Sequence, residues 1–419
     1  MESRVDIKKR SYKEVSLISI AHGFTHWYPA TFYLLLPLIG KEFGLSYSEI
    51  GFILTFFSIV SSLSSLPGGM FVDIVKRKGL LMAFSLFWVG IPYFIMGFSQ
   101  HYVTLLLCMA LVGVGNTLWH PTAIPTLSQL YPERKGLMLS LHNMGSSIGD
   151  AVAPLAIGIL LLYWDWRSVM IINVVPGLLM AAVILYFLRH LYIAEKKERK
   201  EGAGKADAEK QSGAERLRAY LSDTKRLLKN KNVLLLSTSS SFRTMTQKTI
   251  YIFLPLYLLN ELGHTTYFVG VCLFILQASG FIAGPVAGYL SDKVGRKNII
   301  MSSMVMTAAV ILLMIVLPKT LFVFFIALLG FFLYAMRPVI QAWLMDETES
   351  SVAGTSVSVL FGMQSIGSAI APLAAGLIAD AYGILSTFYF VAGTIIVANL
   401  LVFFIPQRVG AKAPPSISA

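Results

Sequence analysis

About twelve stretches of this chain are apolar for long enough to cross a lipid bilayer, and no other feature limits its fold as strongly. They lie near residues 14–39, 47–67, 79–98, 102–128, 137–162, 168–189, 233–259, 266–290, 298–317, 320–344, 352–379 and 385–405. A spanning helix needs roughly 20 predominantly apolar residues. Composition agrees: 56% of residues are hydrophobic and 13% charged, against about 25% charged in a soluble domain. The mean hydropathy of +0.69 is too high for a surface that faces water.

The formal net charge of +12 would suit a nucleic acid if the basic residues shared one face. They sit at span ends instead. Arg4, Lys8, Lys9, Arg10 and Lys13 precede span 1, and Lys76, Arg77 and Lys78 follow span 2. Arg134 and Lys135 follow span 4, and Lys293, Arg296 and Lys297 follow span 8. The opposite loops hold little more than Lys41, Arg167 and Lys319. Lys and Arg concentrate in cytoplasmic loops. The pattern therefore predicts a multi-pass protein of the plasma (inner) membrane, with both termini in the cytoplasm and no nucleic-acid partner. Asp346, Glu347 and Glu349 depart from it locally. Cys108 and Cys272 fall within apolar spans and read as small buried hydrophobes. The basic N-terminus runs into an apolar stretch too long for a cleavable signal peptide.

From about Glu195 to Gly213 the chain is rich in Lys, Glu, Gly and Ala and reads as a flexible linker. After it, Leu217, Leu221, Leu227 and Leu228 recur at near-helical spacing among Arg and Lys. That suits an amphipathic helix on the cytoplasmic membrane surface or a solvated extension of span 7. The division is then residues 1–190, a linker at 191–230, and residues 231–419. The outer two segments resemble each other. Thr31-Phe-Tyr-Leu-Leu-Leu-Pro37 recurs as Thr249-Ile-Tyr-Ile-Phe-Leu-Pro255, and Gly69 to Lys78 as Gly288 to Lys297. Gly113 to Pro121 recurs as Gly330 to Pro338, and Ile148 to Gly158 as Ile366 to Gly376. All four pairs are offset by 217 to 219 residues. The expected architecture is an all-α membrane protein, with twelve transmembrane helices in two six-helix repeats around a central cavity. Parallel repeats of this kind place the functional site between the halves, near the midplane.

At these motifs the chain resembles the major facilitator superfamily, over essentially its whole length. The Gly-x-x-x-Asp-x-x-x-Arg-Lys loops look like that superfamily's cytoplasmic signature. They comprise Gly69, Asp73, Arg77 and Lys78 after span 2, and Gly288, Asp292, Arg296 and Lys297 after span 8. Lys76 stands in the first copy where the second has Gly295. Glycine allows close helix packing, and a carboxylate and guanidinium one turn apart can pair or grip a helix end. A gating role follows from that reading; a purely topological basic loop is the plainer one. Span 5 resembles the superfamily's antiporter signature at Gly136, Gly145 and Gly149. It departs with Asp150 where proline is expected and Ala153-Pro154 where a glycine pair is expected. Small residues there would let spans 5 and 8 approach and seal one side. Span 4 keeps Gly113 and Gly115, but Met109 holds the place of the family's usual arginine. His22-Gly-Phe-Thr-His26, Trp119-His120-Pro121, Tyr131 to Gly136 and Ser140-Leu-His142-Asn-Met-Gly145 narrow the resemblance. They look like the branch containing the fosmidomycin resistance protein, which implies proton-driven export.

An ionisable group at membrane depth costs about 2.5–3.5 kcal/mol or more, so each is a functional-site candidate. Arg243 lies roughly 10 residues, or about 15 Å, into span 7. Gln247 is one turn further on the same face, with Lys248 beside it. Arg337 occupies, in span 10, the repeat position of His120 in span 4. His22 and His26 are one turn apart on span 1, and Asp150 is the acid nearest the midplane. The resemblance implies that spans 1, 4, 7 and 10 line the central cavity, which would bring these groups together. Surplus positive charge there predicts an anionic substrate, such as a carboxylate, phosphate or phosphonate.

Arg243, Gln247, Arg337, Lys248, His22, His26 and His120 are therefore candidate substrate-binding residues, and Asp150 the candidate proton carrier. Structural alternatives stay open. Arg243 or Arg337 could bond backbone carbonyls or pair with Asp150, and the histidines could bond between helices. His120 could also satisfy a carbonyl freed by Pro121. His142 is shallower and reads as structural. Trp27, Tyr33, Trp119 and Tyr251 could line the cavity or simply pack. His22-x-x-x-His26 has metal-ligand spacing, but no third ligand is evident, so no metal and no cofactor is expected. No nucleotide-binding loop or catalytic triad appears, which argues against an enzyme or a pump ATPase. The reading is a secondary transporter, working as a monomer in the bilayer on a small solute with protons as coupling partner. Export is favoured; an uptake symporter for an organic anion and a non-transporting sensor of the same fold are the alternatives.

Overall fold

The computed structural model describes residues 12–189, 191, 222–316, 319–349 and 352–406. The first half contains α1 (Lys13–Phe43), α2 (Tyr47–Ile74), α3 (Lys78–Met96), α4 (Tyr102–Asn116), α5 (Trp119–Leu130), α6 (Lys135–Leu160), α7 (Trp166–Ile172) and α8 (Val174–Leu188). The second contains α9 (Lys231–Leu256), α10 (Thr266–Val294), α11 (Arg296–Val316), α12 (Phe322–Asp346), α13 (Ala353–Tyr382) and α14 (Ser386–Phe403). Helices α4 and α5 form one span, Tyr102–Leu130, and α7 and α8 another, Trp166–Leu188.

Among the described residues, nine spans are long and apolar enough to cross a bilayer. The other three of the twelve expected are α1, α6 and α9. These are the helices that carry His22, His26, His142, Asp150, Arg243 and Lys248. On α9, Ser237, Ser239, Ser240, Ser241, Arg243, Thr244, Thr246 and Thr249 are all buried. A helix this polar survives at membrane depth because its polar groups meet protein, not lipid.

The repeat persists as a packing pattern. In the first half α1 packs on α6, α2 on α4 and α3 on α8; in the second α9 packs on α13, α10 on α12 and α11 on α14. The halves meet along α6 with α10 and along α2 with α13.

Local chemistry sets the helix ends. Gly44 closes α1 with φ 63°, and Ser46 opens α2 with a capping box to Glu49. Asp165 caps α7, accepting from the amides of Arg167 (2.9 Å) and Ser168 (3.1 Å). Hydrogen bonds from the Ser168 hydroxyl and these amides hold its carboxyl below the usual carboxylate range. Gly295, between α10 and α11, has φ 99°, a conformation open to glycine. Lys76 stands at the equivalent place, and no non-glycine residue described has positive φ. The two copies of the loop therefore follow different paths.

The linker at 195–213, with Leu217 and Leu221, lies outside the described residues. A short helix at 222–229 precedes α9. Asn230 separates them, in an extended conformation and capping α9 through the amides of Asn232 and Val233. This helix is thus not an extension of span 7. It turns Leu227 (5% exposed) into the core of the second half and leaves Leu228 out (40%). The acidic loop that broke the charge pattern is neutralised locally. Asp346 accepts from Arg296 (3.1 Å), Glu349 from Arg226 (2.8 Å) and Glu347 from Asn232 (3.0 Å).

Candidate functional site

Contacts between the halves cluster at one end of the bundle. Asp380 at the end of α13 accepts from the amides of Tyr47 (2.8 Å) and Ser48 (3.0 Å), the first residues of α2. Thr55 donates to the Ala369 carbonyl at 2.7 Å. At the opposite end, where the basic loops lie, Gly69, Gly136, Gly288 and Gly362 face open space. The halves are therefore tied together at the end of the bundle away from the basic loops. Asp380 acts as a charged cap on the positive end of α2, worth about 0.5–2 kcal/mol. Asp380→Asn is expected to loosen this end without unfolding either half. A lengthened distance between spin labels on α2 and α13, at unchanged thermal stability, is the check.

The second half supplies the cations. Arg243 is 2% exposed. Its guanidinium donates to the Leu333 carbonyl (3.3 Å) and to Gln247 Oε1 (2.7 Å). Gln247 also bonds Tyr334. Arg337, one turn beyond Leu333 on α12, is exposed although it lies mid-span, and its charge acts on both Arg243 and His120. Lys248 reaches toward the first half, with Nζ 3.5 Å from the Tyr33 hydroxyl and 5.9 Å from its ring centre. Pro154 lacks an N–H and so leaves the Asp150 carbonyl without a helical partner. The Tyr251 hydroxyl supplies one at 3.2 Å.

The first half supplies the histidines. The break between α4 and α5 carries His120 to the centre. His22 and His120 rings lie edge to face at 5.0 Å, and His22 and His26 at 4.9 Å. His142 stacks flat on His22 at 3.8 Å, and Trp119 lies parallel beyond at 6.1 Å. His22 Nδ1 lies 2.7 Å from the His142 carbonyl oxygen, so it is the protonated nitrogen that donates. His26 Nδ1 lies 3.1 Å from Asp150 Oδ2, and both side chains are partly exposed, at 33% and 28%.

The sequence-predicted residues thus converge, with differences of role. Arg243 is mainly a tie between α9 and α12, whereas Arg337 presents a free face. Asp150 pairs with His26 and not with either arginine. Gly145 and Gly149 pack on α1 and not, as expected, on span 8: an added Cβ would lie 1.9 Å from the Ser19 carbonyl oxygen and 2.1 Å from that of Gly23. The approach to span 8, here α10, is made by Pro154, whose carbonyl oxygen would lie 2.4 Å from a Cβ at Gly270. Gly136 takes no part in it.

In the second signature loop Arg296 pairs with Asp292 (2.6 Å), and Lys297 grips the end of α14 through the carbonyls of Phe403 and Ile405 (2.7 Å each). In the first, Lys78 bonds the Val72 carbonyl at 2.6 Å and Arg77 sits at the N-cap of α3; the Asp73 side chain lies outside the described part. These bonds stay within one half. Sequence reasoning missed Tyr334, Gln277 and Asn173. Tyr334 was reachable, since it lies one turn from Arg337 on the same helix. Gln277 bonds Tyr251, and Asn173 accepts from Trp27 and Thr31. A cavity of about 390 Å³ along α1 and α6, lined by Ser19, Gly23, Trp27, Ile148 and Val152 among others, carries none of the charged groups. The polar centre is therefore the candidate site.

Comparison with known proteins places this architecture. The chain is similar to the fosmidomycin resistance protein of Escherichia coli (strain K12), 25% identical over 410 residues that cover 96% of this chain and 94% of that protein. It is similar to the hexuronate transporter of Bacillus subtilis (strain 168), 25% identical and covering 90% of each. Among solved structures it matches a bacterial homolog of the human lysosomal transporter Spinster, in an inward-facing and unoccupied conformation. There the TM-score is 0.79 at 15% identity, over 94% of this chain and 97% of the other. The family model described as Major Facilitator Superfamily matches residues 15–284 and 236–418. With the paired signature loops and the two packed repeats, the chain belongs to the Major Facilitator Superfamily of membrane transporters.

Proposed function

We propose that this protein is a proton-coupled exporter of a small anionic solute. The observation that carries the reading is the imbalance at the centre: Arg243, Arg337 and Lys248 converge on a site where Asp150 is the facing acid. An anion neutralises that surplus, and the guanidinium fork of Arg337 suits a carboxylate, phosphate or phosphonate. Gln247 and Tyr334 offer polar contacts beside it. The relatives' names are in keeping, since a hexuronate is a sugar carboxylate. His22, His26 and His120 border the same space. The halves rock about this centre. The basic loops face the cytoplasm by the positive-inside rule, and the bonds between the halves lie at the other end, which supports reading this conformation as inward-facing. The single chain holds the whole site and works as a monomer in the inner membrane.

Asp150 and His26 form the coupling pair. A proton taken up on the Asp150 carboxylate removes its charge, weakens the bond it accepts from His26 Nδ1–H and alters the seam between α1 and α6. Asp150→Asn is expected to abolish proton movement driven by substrate while leaving substrate exchange in the absence of a gradient. The assay is proteoliposomes loaded with a pH dye, screened with carboxylates, phosphates and phosphonates. Proton flux that persists in Asp150→Asn overturns the coupling role. Export is favoured by the glycine spacing of α6 and by the resistance protein among the relatives. Uptake symport of an organic anion is the second reading, since the same residues would bind the solute whichever way it moves. The sign of the pH change under an imposed substrate gradient separates them.

A further inference from the structure

The histidines at the centre do more than border a substrate. His22, His26 and His120 each offer a ring nitrogen, and the three nitrogens lie within 4.8 Å of one another. The sequence shows only the pair on α1; the turn between α4 and α5 brings the third. Two of the three rings are already set as ligands. His22 Nδ1–H donates to the His142 carbonyl, which leaves Nε2 with its lone pair, and that nitrogen is buried without a hydrogen-bond partner in a residue 1% exposed. His26 Nδ1 is held by the Asp150 carboxylate, which frees its Nε2 in the same way. Imidazoles that ligate metals are oriented by a carbonyl or carboxylate on the opposite nitrogen. A buried imidazole nitrogen with no partner is costly unless something occupies it.

We propose that His22, His26 and His120 form a binding site for one divalent transition-metal ion of the zinc class. Three imidazoles and one open position match the donor set of an open zinc site, whose Zn–N bonds of about 2.0–2.1 Å need the cluster to tighten slightly. His120 supplies that adjustment, because it is the ring least enclosed by protein. The open position faces the cavity. Arg337 beside His120 disfavours a bare dication and draws an anion to that position, so a carboxylate or phosphate group would be shared by the metal and the guanidinium. Asp150 orients His26 and is a positioning residue for the ion, not a ligand. The assignment rests on the cluster alone and holds whichever way the solute moves.

The test uses the full-length chain purified in detergent without a polyhistidine tag. Co²⁺ is titrated in and its visible ligand-field absorption followed, then Zn²⁺ is added to displace it. The expected result is one Co²⁺ per chain with the spectrum of a four-coordinate nitrogen-rich site. Asp150→Asn, which removes an outer-shell partner, should weaken binding by roughly 10- to 100-fold, and His120→Gln and His26→Gln, which each remove a ligand, by more. His264→Gln, away from the cluster, should leave it unchanged. His120→Gln is the variant least able to disturb folding, and its elution and melting profile are compared with the parent. Absence of saturable Co²⁺ binding, or equal affinity in folded His120→Gln, overturns the site. Proton-coupled transport measured on the same preparations separates this outcome from a failure of the transport reading.

Discussion

Arg337→Ala is expected to lower substrate affinity by roughly 30- to 700-fold while leaving the fold intact. Truncating one partner of a desolvated charge pair costs about 2–4 kcal/mol, and each 1.4 kcal/mol is tenfold in affinity. Arg337 qualifies because its side chain, exposed here, would lose water when an anion docks against it. Arg243→Ala should behave differently. Arg243 is 2% exposed and holds the Leu333 carbonyl and Gln247. Its removal loses charge-assisted hydrogen bonds that tie α9 to α12, worth about 1.5–3 kcal/mol each, so melting temperature should fall together with transport. Arg337→Lys is not expected to restore affinity, since an ammonium cannot reproduce a two-pronged contact. Equilibrium binding and thermal melting on the same preparations distinguish the two arginines. Normal affinity in folded Arg337→Ala would falsify its role as the anion contact.

The distinction between those arginines could not be read from the sequence. The spans were legible because twenty apolar residues in a row is a local property. The repeat was legible because its motifs recur at a nearly constant offset. That Arg243 and Arg337 lie deep was legible from their distance to the span ends. Which of them meets the cavity depends on how α9 and α12 are rotated against each other, and that is set by packing across the whole half. His120 illustrates the same limit. Its position beside Pro121 announced an irregular helix, but only the angle between α4 and α5 brings it to His22 and His26. The small residues of α6 failed for a simpler reason. Gly145 and Gly149 form one stripe, and Pro154 and Gly158 another. The five residues from Gly149 to Pro154 amount to about 140° of helix rotation at 3.6 residues per turn. One stripe therefore meets α1 inside its own half, and the other meets α10 across the boundary.

That geometry yields the second large effect. An added Cβ at Gly51 would lie 2.2 Å from the Pro372 carbonyl oxygen, and one at Gly270 would lie 2.4 Å from that of Pro154. The two contacts are equivalent under the repeat: α2 meets α13 in one, α10 meets α6 in the other. Both obstacles are backbone atoms, so no rotamer change relieves them. Both also exist only while this end of the bundle is closed. Gly51→Val or Gly270→Val should therefore penalise the conformation described and spare a state in which this end opens. Overpacking of this kind costs about 1–3 kcal/mol, which shifts the balance between the two states by roughly 5- to 150-fold. Either change alone should slow turnover. Together they should arrest the protein with this end open, because reversing a 99:1 preference takes about 5.5 kcal/mol and the two contributions add when their surroundings are independent. Gly149→Val is the contrasting case. Its clash with Gly23 lies within one half and persists in both states, so it should reduce folded yield and not redistribute conformations. The measurements are turnover in proteoliposomes, melting temperature, and the distance between spin labels near Tyr47 and Asp380. A folded double variant that still transports at the parent rate, with the label distance unchanged, would show that this seam does not open during the cycle.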